Sequence, residues 1–195
     1  MFHNLADDIV FLLIKNKKID IHKRDIYVYG IEILLLNSSL LIIFLILSVL
    51  LNSLKIFGMY LLFFIPLRIF TGGFHAKTSE QCFVLSILMY CLSVYTANSF
   101  PCWFRNVEFC FCGVIAVIII IVFSPLINVN NPLNINQQKR NKTIVILLLL
   151  FDFVFFIVCF FLNLEIGTYV VMFVILDAIL LIIGKIVSIL ENNQI

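Results

Sequence analysis

The sequence predicts an all-α integral membrane protein of about six transmembrane helices, preceded by an amphipathic helix lying at the membrane surface. Three observations predict it. Apolar residues come in runs of the length a helix needs to cross a bilayer, charge is scarce and sits between the runs, and the basic residues concentrate in alternate breaks. With 63% hydrophobic and 12% charged residues and a mean hydropathy of +1.16, the 195 residues lie far from the roughly half apolar, quarter charged make-up of a soluble domain. That length suits one integral domain, 1–195. The net charge of +2 gives no reason for a nucleic-acid partner, because the basic residues form no patch interleaved with aromatics.

Residues 1–25 differ from the rest. Leu5, Ile9, Leu12 and Leu13 recur at helical spacing, with Asp7, Asp8 and Lys15 elsewhere on the cylinder, which is the pattern of an interfacial helix. No small-residue cleavage site follows this short apolar run, so it is not read as a signal peptide. The first span is predicted over Tyr27 to Leu51 and the second over Leu54 to Leu67. The third covers Cys82 to Phe100, the fourth Val107 to Ile127, the fifth Thr143 to Leu162 and the sixth Ile166 to Val187. The second, ended by Arg68, is short for a crossing and fits a re-entrant or mismatched segment nearly as well. Asn- and Pro-rich residues 124–142 read as a turn that touches headgroups through Lys139, Arg140 and Lys142. Pro101, Trp103 and Arg105 form a short outer loop with an interfacial anchor.

Charge sets the orientation. With the N-terminus inside, the inner segments hold Lys15, Lys17, Lys18, Lys23, Arg24, Arg68, Lys77, Lys139, Arg140, Lys142 and Lys185, against Lys55 and Arg105 outside. Both termini, and the polar stretch 68–82, are therefore expected in the cytoplasm.

That stretch, RIFTGGFHAKTSEQC, carries the chemistry. Thr78 to Gln81 matches a T-x-x-Q capping box, so a helix should start at Thr78 or Ser79 and place Cys82 in its first turn. Unpaired N–H groups and the positive end of the helix dipole favour a thiolate there, with Arg68 or Lys77 as possible cationic neighbours. His75 is the candidate base. In one continuous helix, residues seven apart are separated by about 10 Å along the axis, too far for proton transfer. Gly72 and Gly73 supply the required break, and their amides could hold an oxyanion. A polar loop holding one His and one Cys is also common by chance, so spacing alone leaves the duller reading open. Ser86, one turn after Cys82, is placed to line the site or simply to bond a carbonyl.

Cys91, Cys110, Cys112 and Cys159 lie inside predicted spans and Cys102 alone faces outward, which is no disulfide framework. No metal set can be assembled from His3, His22, His75 and a single nearby cysteine, and no organic cofactor is implied. Glu32, Asn37, Asp152 and Asp177 are polar residues in apolar surroundings and are functional suspects. Glu32 and Asp152 are expected near cytoplasmic ends with access to water. Asp177 is deeper, and is either protonated, paired across helices or part of a groove.

The segment Arg68-Ile69-Phe70-Thr71-Gly72-Gly73-Phe74-His75-Ala76, followed by Cys82 and Ser86, resembles the R-x-x-x-G-G-x-H-A-x(5)-C-x-x-x-S core of the accessory gene regulator B (AgrB) family. Tyr29-Gly30-Ile31-Glu32 resembles the family's Y-G-x-E, and Ser124-Pro125 through Asn131-Pro132-Leu133 to Lys139-Arg140 its Pro-containing basic loop. The last third matches in hydropathy alone. The resemblance implies a single AgrB-like domain in a bacterial cell membrane, acting as a cysteine endopeptidase on an AgrD-like precursor of a peptide pheromone. It further implies His75 and Cys82 as the catalytic pair, an acyl-enzyme thioester, ring closure to a thiolactone or lactone, and a homodimer. A different class is a transporter or scaffold without enzymatic activity, in which 68–82 is a re-entrant gate; its usual paired broken helices are not evident, only one break being visible. A combined role, in which the protease also helps export its product, stays open.

Overall fold

Backbone N–H and C=O groups find no water in hydrocarbon, so a chain of this composition must satisfy them within each segment, as helices do. The computed structural model follows that rule. It describes residues 2–16, 20–72, 79–99, 107–126, 134–162 and 164–192, and among these no strand occurs. The elements are α1 (Phe2–Lys15), a 3-10 turn (Ile21–Lys23), α2 (Arg24–Leu50), α3 (Leu54–Met59), a π-helical turn (Tyr60–Phe64), α4 (Ile65–Thr71), α5 (Ser79–Ser99), α6 (Val107–Phe123), α7 (Ile135–Phe161) and α8 (Ile166–Asn192). Four helical stretches, 21–50, 54–71, 135–161 and 166–190, are long and apolar enough to cross a membrane, while 83–99 and 108–123 are shorter apolar helices.

The second span is longer than the sequence reading allowed. Helix runs without a break from Leu54 to Thr71, straight through Arg68, because Arg68 finds partners inside the protein and its charge does not end the apolar segment. A proline explains the π turn within it. Pro66 has no N–H to donate and its ring crowds the carbonyl four residues back, so the ladder shifts to the wider spacing, with Ile65 N–H reaching the Tyr60 carbonyl. Between α2 and α3, Asn52 takes a left-handed φ of 50° and Ser53 N–H bonds the Ser48 carbonyl at 2.8 Å, closing a tight helix-to-helix turn.

Two further expectations are corrected. Residues 135–142, read as part of a turn, form the first two turns of α7, entered through Asn134, whose N–H donates to Gln137 Oε1 at 3.0 Å. Lys139, Arg140 and Lys142 therefore project from a helix. Asp152 does not reach water at a helix end: it is buried, about 14 Å along the axis from Thr143, where the apolar run begins.

α8 is the central helix, packed on α6, α7, α4 and α5. The core is aromatic. Tyr60 meets Phe44, Tyr90 and Phe173 edge-on with centroids 5.2–5.7 Å apart, locking the second span against α2, α5 and α8. α1 packs on α2 through Ala6, Val10 and Val28, and Asp7 and His3 pair with Arg24 and Glu32 at 2.6 and 2.9 Å. Leu5, Ile9 and Leu12 stay exposed on the other side of α1, an apolar stripe suited to a membrane surface. Phe2 also touches Phe83, with ring centroids 5.8 Å apart, so α1 reaches the beginning of α5.

Candidate functional site

The candidate site residues lie in the chain between the end of α4 and the first turns of α5. α4 stops at Gly72, whose φ of 69° is a conformation that side-chain-bearing residues rarely adopt. A Cβ on Gly72 would also stand 2.8 Å from the Leu126 carbonyl oxygen, so the position requires glycine on two counts. α5 opens at Ser79, as the capping pattern predicts, and the backbone of Cys82 lies in its first turn. Ser86 follows one turn later and is half-buried. Gly73, His75 and Thr78 lie outside the described residues, as does the side chain of Cys82.

Arg68 and Thr71 form the last turn of α4, and both engage α8. The Arg68 guanidinium donates from Nη1 to the Gly72 carbonyl at 2.9 Å and lies 3.5 Å from Asp177 Oδ1. The Thr71 hydroxyl is 3.3 Å from the same carboxylate oxygen. On the other side of the turn, Leu126 N–H donates to the Thr71 carbonyl at 2.9 Å, tying α4 to the segment that follows α6. Of the alternatives for Asp177, the structure shows pairing across helices. Arg68, one of two possible cationic neighbours of the thiolate, contacts Asp177 and Gly72, while Lys77, the other, lies outside the described residues.

Sequence reading did not find this pairing, although its signal was present. A lone carboxylate in an apolar helix calls for a compensating cation at similar depth, and Arg68, at the end of a span, is such a cation. A second feature is a largely apolar cleft of about 340 Å³ between α6, α7 and α8, walled by Val117, Leu149, Phe153 and Val174, with Cys110 and Asp152 on its surface. Among the described residues, Asp152 Oδ2 has no hydrogen-bond partner.

The sequence model of the family described as Accessory gene regulator B matches residues 6–183, nearly the whole chain. The chain belongs to the AgrB family. No curated protein and no solved structure matches it. Membership in the AgrB family makes this a multi-pass bacterial membrane protein of the agr quorum-sensing system, with a part in processing the peptide signal and an AgrD-like precursor as its substrate. The match extends through α8 to residue 183 and so takes in Asp177, in the third of the chain where motif resemblance had stopped.

Proposed function

We propose that the protein is a membrane-embedded cysteine endopeptidase, with Cys82 as nucleophile and His75 as general base, that cleaves an AgrD-like precursor and promotes closure of its ring. The observation that carries this reading is the start of α5 at Ser79, which puts the Cys82 backbone among the unpaired amides and positive dipole end of a 21-residue helix. That environment favours thiolate over thiol and lowers the barrier to attack on a carbonyl. Family membership supports it independently, by supplying the kind of substrate the chemistry needs.

The reaction balances as an acyl transfer. His75 takes the Cys82 proton, and the sulfur attacks the peptide carbonyl at the C-terminal edge of the future pheromone. The amides of Gly72 and Gly73, or those of the helix start, stabilise the oxyanion. The C–N bond breaks, His75 returns its proton to the leaving amine, and the tail departs. The remaining acyl group is now a thioester on Cys82. A thiol or hydroxyl of the bound peptide then gives its proton to His75 and attacks the same carbon, the ring closes, and Cys82 leaves as thiolate. Exchange of one thioester for another is nearly balanced in energy, whereas closure directly from an amide is uphill, so the covalent intermediate keeps the acyl group activated. Exclusion of water from the site would slow competing hydrolysis. The amphipathic precursor arrives along the bilayer surface, and the protein works as a homodimer with both termini in the cytoplasm.

Co-expression with the precursor, tagged at its C-terminus, tests the reading. Tail release is expected with the unmodified protein and with Cys91→Ala, and is lost in Cys82→Ala and His75→Ala. Release that survives loss of Cys82, or none with the intact protein, removes the protease reading in favour of a transporter or scaffold.

A further inference from the structure

Asp177 is fully buried on the central helix of the bundle. A carboxylate there is costly unless partners compensate for lost water. Both partners that the structure gives to its Oδ1 come from the last turn of α4: the Arg68 guanidinium at 3.5 Å and the Thr71 hydroxyl at 3.3 Å. The Arg68 nitrogen that faces Asp177 also donates to the Gly72 carbonyl at 2.9 Å. One carboxylate thus holds the side chain that holds the final peptide unit of the turn.

The opposite side of the turn is closed as well. Leu126 N–H grips the Thr71 carbonyl, and the Leu126 carbonyl oxygen occupies the space a Gly72 side chain would need. Gly72 has wide conformational freedom of its own. Its left-handed φ is selected by these tertiary contacts, so the direction in which the chain leaves α4 depends on α8 and on the segment after α6.

We infer that Asp177 is a positioning residue for acyl transfer: through Arg68 and Thr71 it fixes the Gly72 exit of α4, from which the chain runs three residues on to His75. This rests on the proposed cysteine mechanism, since the direction of that exit matters for rate only if His75 serves Cys82. Catalytic groups tolerate little displacement, and an error of about 1 Å costs about a hundredfold in rate. A purely structural Asp177 would neutralise Arg68 and hold α4 to α8, with no specific effect on turnover.

The test uses full-length protein reconstituted in phosphatidylglycerol and phosphatidylcholine vesicles with the AgrD-like precursor, measuring kcat, KM and the thermal midpoint. Asp177→Asn removes the charge at nearly constant volume, and Thr71→Val removes only the hydroxyl. Each is expected to lower kcat up to about a hundredfold while KM changes by less than about threefold. Thr71→Ser, which keeps the hydroxyl, restores the rate lost in Thr71→Val. The double variant loses much less than the product of the two single losses, because both act through one clasp. Wild-type kcat in folded Asp177→Asn and Thr71→Val overturns the inference alone, as does a lowered thermal midpoint with unchanged turnover per folded molecule. Cleavage that persists in Cys82→Ala overturns the cysteine mechanism and this inference with it.

Discussion

Gly72 shows most directly how one residue shapes the site. Its φ of 69° and the 2.8 Å approach of the Leu126 carbonyl oxygen leave no room for a methyl group without moving backbone. Gly72→Ala should therefore cut tail release by at least about tenfold while the protein still inserts and folds, the strain of order 1–3 kcal/mol being local to the turn. Parallel cleavage and thermal-melt measurements check it. Asp152 leads to the opposite kind of prediction. Its carboxylate lies buried against an apolar cleft with Oδ2 unpartnered among the described residues, so Asp152→Leu should raise the melting temperature by about 2–4 °C for each kcal/mol recovered. A fall would mean that the carboxylate has a partner in the membrane. The two carboxylates differ in how much the sequence revealed. Asp177 is visibly out of place in an apolar run, but its Thr71 contact spans 106 residues, and no local pattern encodes a pairing at that range. Cys82 is the reverse case, since a capping signal four residues long was enough to place it in the first turn of a helix.

At the scale of elements, each predicted apolar run became a helix, four of them long enough to span and two, 83–99 and 108–123, shorter, and the errors in their bounds came from charge. Arg68 was read as the end of the second span because a free cation ends an apolar helix; one satisfied by Gly72 and Asp177 does not, and the helix continues to Thr71. Lys139, Arg140 and Lys142 likewise hid the start of α7, where the sign to follow was Asn134 with Gln137 three residues on. Helix contact brings its own prediction. Gly113 lets α6 approach α8 so closely that a Cβ would lie 2.7 Å from Val171 Cγ1. Gly113→Leu should destabilise by about 1–3 kcal/mol, and Val171→Ala in the same protein should recover part of that loss. Thermal melts of the two single variants and the double variant decide it. Additive losses would show that the two residues do not meet.

For the whole molecule, the ends of α4, α6 and α8 meet at one end of the bundle: Thr71 bonds Leu126, and Lys185 Nζ lies 3.6 Å from the centroid of Phe123. From the charge bias we propose that this end faces the cytoplasm. In single-cysteine proteins, Cys102 should react with an impermeant maleimide on intact cells, whereas a cysteine at Lys139 should react only after permeabilisation; the reverse pattern would invert the topology. On the proposed mechanism, the helix start that carries Cys82 and the held α4 exit would lie at the surface an amphipathic peptide reaches. The central claim is that Cys82 carries the acyl group. Mass spectrometry of protein quenched with acid during turnover measures this directly. The account predicts a precursor fragment, lacking its tail, attached to the Cys82 peptide and released by neutral hydroxylamine. Tail release with no such adduct, or an adduct on another cysteine, would contradict it.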